Sequence, residues 1–362
     1  MALACVENGQ PDPLAPYVYS LPAELIAQHP AARRVQARLM VIRRDSDALG
    51  HQKVAHLTRW LRPGDLLVMN DTKVVPARLM AQKPTGGAVE ILLLQPAHPK
   101  GSDGQGGEVH EVLLRSHRPL APGLRLRLAG EPAVWVEVVE RFQKGRALLR
   151  FPGSALALAD ERGMVPLPPY IKRPQGPQAG DQERYQTVYA AREGAVAAPT
   201  AGMHLSQGLL AALKRRGVGT ARLTLHVGYG TFAEPRPEDL AAGRLHAEWV
   251  DLPQDLCQAV ARTKAQGGRV VAVGTTSLRA LEWRVGPGGV PRPGSGWCDL
   301  LISEGHRFKV ADGILTNFHL PRTTLLMLVS ALAGRERVLE AYAEAVEKKY
   351  RFYSFGDATL IL

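Results

Sequence analysis

Cysteine is scarce in this 362-residue chain. Cys5, Cys257 and Cys298 lie too far apart for a metal or redox spacing, and an odd set of three gives no disulfide framework. Long apolar runs are missing too: the longest, near 325–333, falls well short of the roughly 18 residues that span a bilayer. Residues 1–16 have neither a basic n-region nor an apolar h-region, so no signal peptide is expected. Together these absences point to a cytoplasmic protein without a membrane partner. Several catalytic templates are also absent. There is no Gly-x-x-x-x-Gly-Lys-Ser/Thr loop, no Gly-x-Gly-x-x-Gly after a strand, no Gly-x-Ser-x-Gly elbow and no His-Glu-x-x-His. Metal ligation is not expected either, since paired cysteines and close carboxylate clusters are lacking. The nearest approach, His246-Ala247-Glu248, reads as a strand with both side chains on one face. Acidic residues number 34 against 45 basic ones, giving a formal charge of +11. That excess admits nucleic acid, an acidic surface or a phosphorylated substrate as partner without choosing among them. Lysine supplies 11 of the 45 and arginine 34, a skew that genome composition explains as well as phosphate binding does.

What is present divides the chain by texture. Residues 1–16, rich in Pro, Gly and small side chains, read as a flexible tail. Leu21–Gln28 reads as a short helix with Pro22 in its first turn. From Asp65 to Phe151 the pattern is almost pure strand, Leu66–Met69 included, and the Gly/Ser-rich stretch 97–108 reads as a long exposed hairpin loop. Such a meander of about six strands suggests a small barrel or sandwich. Beyond Leu156 helices and strands alternate: helices over Ser206–Arg216, Gln254–Gln266, from Leu278, Thr323–Ala333 and Glu336–Lys349, with strands over Leu223–Val227, Arg269–Val273 and Thr359–Leu362. The expected fold is α/β: a larger mixed α/β domain from 17–60 and 155–362, interrupted by a small all-β, barrel-like domain at 61–154.

Chemistry concentrates in polar turns that follow apolar strands. Asn70-Asp71-Thr72-Lys73 follows Leu66–Met69, with Arg78 shortly after. His226-Val227-Gly228-Tyr229-Gly230-Thr231 follows Leu223–Leu225, and Gly274-Thr275-Thr276-Ser277-Leu278-Arg279 follows Val270–Val273. Ligands of α/β sheets bind beyond the carboxyl ends of strands, where amides, hydroxyls and helix N-termini converge. Gly228 and Gly230 would permit close backbone approach. The same residues also cap helices and close turns, and any one turn alone favours that plainer reading. Three histidines have comparable surroundings: His204 in Thr200-Ala201-Gly202-Met203-His204, His226, and His319 in Thr316-Asn317-Phe318-His319. Imidazole is the side chain best suited to proton transfer near neutrality, although a lone histidine is more often a satisfied core group. For RNA the candidate patches interleave rings with cations: Tyr170, Lys172 and Arg173; Arg184 and Tyr185; Lys349 and Arg351.

Several runs taken together resemble one family: LLVMNDTKVVPARL at 66–79, LPPYIKR at 167–173, RYQTVYA at 184–190, AAPTAGMH at 197–204, LHVGYGTF at 225–232, VGTTSLRALE at 273–282, TNFHLP at 316–321 and YRFYSFGD at 350–357. The match runs in order from about Tyr17 to the C-terminus. It is similar to the S-adenosylmethionine:tRNA ribosyltransferase-isomerases of queuosine biosynthesis. The resemblance implies a metal-free enzyme with no bound cofactor, which consumes S-adenosylmethionine as co-substrate. The ribosyl group would move to 7-aminomethyl-7-deazaguanine at the tRNA wobble position and be isomerised there. Epoxyqueuosine would form, with release of adenine and methionine. It also implies a β-barrel-like domain inserted in a larger α/β domain, and a monomer is expected.

The sulfonium would acidify the C5′ hydrogens, adenine would leave protonated, and the RNA amine would attack neutral. On this resemblance His226 or His204, then His319, are expected to move protons, and Asp71 to hold a ribose hydroxyl or the cationic amine. Asn70, Thr72, Arg78, Thr200, Gly228, Gly230, Thr231, Thr275, Thr276, Arg279 and Asn317 would bind substrate, with Arg279 on the methionine carboxylate. The cationic excess is expected on one face around Lys172, Arg173, Arg184, Lys349 and Arg351. The chain departs from the family pattern at Val35-Gln36-Ala37, at Met203 and Leu205, and over Cys298–Gly305.

Overall fold

Apolar strands buried on both faces organise the molecule. The computed structural model describes residues 12–102, 104, 106–174, 176, 178, 180–228 and 237–362. Nine strands form a mixed sheet in the order Gly294–Leu300, Arg244–Leu252, Gly219–Leu225, Leu66–Asn70, Val270–Val273, Gly313–Asn317, Ala358–Ile361, Arg38–Ile42 and Leu49–Lys53. Four consecutive members, Gly219–Leu225, Leu66–Asn70, Val270–Val273 and Gly313–Asn317, run parallel. Their side chains alternate between two layers. Leu66, Val68, Val270 and Ala272 share a core with helices Gln254–Ala265, Gly274–Trp283, Thr324–Ala333 and Arg335–Glu347. Leu67, Met69, Val271 and Val273 pack on the other side with helix Gln207–Arg215 and the 3-10 turn Val54–Arg59. Because both faces are covered, these strands read as unbroken apolar runs, and each buried Leu or Val contributes about 1.5–3 kcal/mol.

A second sheet closes on itself. Its order is Arg146–Phe151, Trp135–Arg141, Arg125–Leu128, Arg78–Gln82, Ala88–Leu93 and Glu108–Arg115, and the last pairs back onto the first from Arg146↔Leu113 to Phe151↔Glu108. Alternation shows its one-sided core: Ala147, Leu149 and Phe151 are buried while Arg146, Leu148 and Arg150 are not. The architecture is therefore mixed α/β with a closed antiparallel barrel, as the sequence pattern suggests.

Three elements differ from expectation. Leu66–Asn70 belongs to the centre of the large sheet, not to the barrel meander, and its uniform burial is the physical signature of that position. Leu21–Gln28 forms only a 3-10 turn at Ala23–Leu25, because Ile26 makes a parallel bridge to Phe352 and pulls the chain extended. The helix expected from Leu278 begins at Gly274, whose φ of +86° turns strand into helix within one residue. Of the expected tail, residues 1–11 lie outside the described residues. Leu14 is buried and Asp12 pairs with Arg322 at 2.7 Å, so the chain is anchored from there on. Among the described residues no helix is long and apolar enough to cross a membrane.

Candidate active site

The four parallel strands deliver their carboxyl ends to one edge of the sheet. Asn70-Asp71-Thr72, His226, Gly274-Thr275-Thr276 and Asn317 followed by His319 all start there. Asn70 is fully buried and ties the edge together. Its Nδ2 donates to Leu225 O at 2.9 Å and to Thr276 Oγ1 at 3.4 Å, and its Oδ1 accepts from the amides of Thr72 and Leu225 at 3.1 and 3.0 Å. With every polar atom occupied, Asn70 fixes the spacing of neighbouring strand ends and has nothing left for a ligand.

Around this clamp three polar sets converge. His226 Nδ1 lies 2.8 Å from Thr72 Oγ1, and burial, with nearby His98 and Arg192, pushes the imidazole pKa down to about 4. Asp71 accepts the Thr224 hydroxyl at 2.7 Å, and burial raises its carboxyl above the usual range. Asn317 Nδ2 donates to His204 Nε2 at 3.1 Å and to Tyr353 O at 3.0 Å, while its Oδ1 accepts from Thr200 at 3.2 Å. The carbonyl partner fixes the amide orientation, so His204 must be neutral with its Nε2 lone pair engaged. Burial lowers His204 to about 4 and His319 to about 3. His319 Nε2 lies 3.2 Å from Thr316 Oγ1, and its amide donates to the Tyr342 hydroxyl at 3.2 Å.

Thr200, Thr275, Thr276, Asn317 and His319 face a cavity of about 60 Å³, walled by Tyr170, Tyr185 and Tyr353. Larger clefts exist elsewhere. One of about 780 Å³ runs between the barrel and residues 163–182, and Arg78 opens onto it. Arg78 reaches Glu90 at 3.5 Å and Leu167 O at 3.4 Å, so it stands apart from the strand-end groups. The small cavity is the better candidate site, because His319, Asn317, the hydroxyls of Thr200, Thr275 and Thr276 and the N-terminus of helix Gly274–Trp283 meet there, with Val227, the neighbour of His226, on its wall.

Several expected ligand groups are committed to the fold. Arg279 is buried and donates to Glu248 Oε2 at 2.7 Å and to Leu300 O at 3.1 Å; the other Glu248 oxygen accepts the Gly228 amide at 3.0 Å. An arginine so engaged anchors the His226–Gly228 turn and is not a free carboxylate receptor, although its Nη2 has no hydrogen-bond partner among the described residues. Gly230 and Thr231 lie outside the described residues. His246 and Glu248 do not share a face: a register shift between Arg244 and Glu248 leaves His246 exposed and Glu248 buried.

Most of the expected RNA patch is also engaged by the fold. Tyr185 is fully buried, and Tyr170 is packed 4.0 Å from the Tyr353 ring with its hydroxyl 2.5 Å from Ser354 Oγ. Arg173 forms a bidentate pair with Asp181, its Nε and Nη2 each donating at 2.9 Å. Arg184 donates to the carbonyls of Ala31 and Ala32, and Arg351 to those of His29 and Phe355. Lys172 and Lys349 alone of the seven are exposed. Interleaved rings and cations at the sequence level thus mark a packed junction here, where guanidinium groups satisfy carbonyls.

Sequence reasoning missed His98, Thr224 and Trp249, and weighed Glu248 only with His246 as a weak metal pair. His98 lies in the stretch read as an exposed loop. Its ring stands 5.7 Å from His226, 4.6 Å from Trp249 and 5.3 Å from Trp297. A lone histidine inside a Gly/Ser-rich run carries no periodicity, so no local signal marked it.

Comparison with known proteins adds to this geometry. Residues 14–361 match the family described as queuosine biosynthesis protein. A relative from Thermus thermophilus, named S-adenosylmethionine:tRNA ribosyltransferase-isomerase, is 50% identical over 358 residues, covering 96% of this chain and 99% of its own. One of the same name from Pelobacter propionicus is 49% identical over 345 residues, covering 95% and 98%. The crystal structure of S-adenosylmethionine tRNA ribosyltransferase from Thermotoga maritima superposes with a TM-score of 0.53 at 34% identity, covering 96% of this chain and all of that one.

Proposed function

Because this chain belongs to the queuosine biosynthesis protein family and its relatives are ribosyltransferase-isomerases, we propose that it transfers and isomerises the ribosyl group of S-adenosylmethionine onto 7-aminomethyl-7-deazaguanine in the wobble position of tRNA. Epoxyqueuosine is the nucleoside product, and adenine and methionine are released. The observation that carries the reading is His226, held by Thr72 at the shared edge of four parallel strands, one residue from Val227 on the wall of the small cavity.

The chemistry follows from that arrangement. The Thr72 hydroxyl is also 3.5 Å from Arg192 O, and donating there lets it accept Nδ1–H from His226. Nε2 of His226 then keeps its lone pair for a substrate proton. An imidazole whose pKa is depressed to about 4 is neutral at pH 7, so its Nε2 lone pair is open to a proton. His204 is the weaker candidate, since Asn317 already occupies its Nε2. His319, deeper and more strongly depressed, supports the cavity wall. Asp71 keeps one oxygen beyond its Thr224 bond and favours a hydroxyl or ammonium neighbour. A nucleoside exceeds about 60 Å³, so binding widens the cavity between Tyr170, Tyr185 and Tyr353 or leaves part of the ligand outside it.

The test is incubation of the protein with S-adenosylmethionine and tRNA bearing the 7-deazaguanine precursor, followed by mass analysis. Epoxyqueuosine, adenine and methionine are expected together. S-adenosylhomocysteine without adenine would make the protein a methyltransferase, and tRNA binding without consumption of S-adenosylmethionine would make it a binding module.

A further inference from the structure

Rings and cations of the kind sought around Tyr170 and Tyr185 also occur, partly solvent-exposed, near His226. Arg244–Leu252 and Gly294–Leu300 pair Trp249 directly opposite Trp297, with the rings 5.4 Å apart. His98, from the barrel loop, sits against both and against His226. Trp297 is 40% exposed, and Lys100 Nζ stands 5.7 Å from its ring centroid. Lys100 is also part of the wall of a cleft of about 1120 Å³, lined further by Arg141, Phe142, Lys144 and Arg146.

Phe142 is 39% exposed, and Lys144 projects from a tight turn with φ of +57°. The Nε of Arg141 is buried and has no hydrogen-bond partner among the described residues. Two carboxylates, Glu111 and Glu238, line the same cleft, and Glu111 is shared between Arg146 and Lys100. Four cations against two carboxylates leave a net positive cleft, with an exposed ring along it and another at its Lys100 end.

We infer that this cleft is where the RNA substrate lies, with unpaired bases stacked on Trp297 and Phe142 and phosphates on Lys100, Arg141, Lys144 and Arg146. The inference rests on the tRNA reading above. Sequence-tolerant stacking on exposed rings, flanked by cations that track the backbone, is the chemistry by which single-stranded loops are bound. The path from Lys100 through Trp297 and His98 leads directly to His226, so a nucleotide held here would present its neighbour to the strand edge. Packed aromatic walls, such as Tyr185, offer no such face.

Binding of the full-length protein to a labelled anticodon stem–loop RNA, read by fluorescence anisotropy at several salt concentrations, tests the surface apart from catalysis. Trp297→Ala is expected to weaken binding by about fivefold or more. Lys144→Ala is expected to reduce the slope of log affinity against log salt by about 0.7–0.9. S-adenosylmethionine affinity of both variants should match the parent; the melting temperature should match for Lys144→Ala and fall for Trp297→Ala, which loses its packing on Trp249 and His98, so binding is compared at a temperature where both remain folded. Trp135, an exposed ring elsewhere on the barrel with Arg125 5.6 Å from its centroid, serves as control, and Trp135→Ala should leave RNA affinity unchanged. The inference is overturned if Trp297→Ala and Lys144→Ala bind RNA as the parent does, if Trp135→Ala loses as much, or if Lys172→Ala and Lys349→Ala carry the loss instead. A parent protein that binds RNA but leaves S-adenosylmethionine intact would sink the proposed reaction, while the cleft would still be judged by the variants' binding. A parent that binds no RNA would end both.

Discussion

Replacing His319 by Gln should flatten the acid limb of the protein's stability. His319 is 4% exposed, and burial pushes its pKa to about 3, whereas an unfolded imidazole titrates near about 6.5. The unfolded chain therefore binds a proton that the native one refuses. The stabilisation is fully present above about pH 6.5 and is lost progressively as pH falls towards about 3. At pH 4.5, two units below the unfolded pKa, the loss is about 2.7 kcal/mol; at pH 7 it is only about 0.2 kcal/mol. Gln has no titrating group and can still meet the Thr316 hydroxyl, which lies 3.2 Å from Nε2. The variant will be less stable at pH 7, but its change in unfolding free energy from pH 7 to pH 4.5 should be smaller than the parent's by about 2.5 kcal/mol. Urea unfolding at the two pH values measures this directly. With a slope near ~3 kcal/mol per molar, the difference corresponds to about 0.8 M in midpoint. Equal losses for parent and variant, within about 0.5 kcal/mol, would refute the claim that His319 is held neutral by burial.

Other expectations concern the site and its supports. Thr72→Val removes the Nδ1 partner of His226 and should lower kcat about tenfold or more with little change in S-adenosylmethionine affinity, while Thr72→Ser restores most of it. Gly194→Ala would place a methyl 2.8 Å from His226 Cε1 and 2.7 Å from Ala97 Cβ at φ of +142°, so kcat should fall sharply; near-parental turnover would show that the imidazole position is not critical. Glu248→Gln leaves the buried Arg279 without its counter-charge and should cost about 3–5 kcal/mol of stability, seen as a lower melting temperature. Arg173→Ala should also destabilise, by leaving Asp181 buried and unpaired, with RNA affinity retained in the folded fraction; loss of RNA affinity without loss of stability would contradict the structural role.

Much of this was legible before folding was considered, and the illegible parts have specific causes. Helix limits followed from caps: Ser206 and Thr323 accept from Leu209 and Leu326 amides, where the pattern starts those helices. His226, Thr72 and Asp71 could be singled out because a polar turn after a buried strand is a local feature. That Arg279, Arg173 and Tyr185 are engaged by the fold could not be read locally, because a side chain's availability depends on who faces it. Glu248 lies 31 positions from Arg279, and no local pattern joins them. The Arg244–Glu248 register shift likewise broke a periodic argument that a regular strand would have satisfied.

The sequence by itself determined the two architectures, through alternation in one region and unbroken apolar runs in another, and it placed the chemistry-bearing residues at strand ends. Which of those residues remain free was decided by tertiary structure alone. Parallel pairing brings Asn70, His226, Thr276 and Asn317 to one edge from positions far apart in the chain, and the loop after barrel strand Ala88–Leu93 brings His98 to His226. Burial then sets their ionisation. Removing water penalises the charged imidazole, so three histidines of ordinary sequence context become neutral groups, each with its tautomer or role set by Thr72, Asn317 or Thr316.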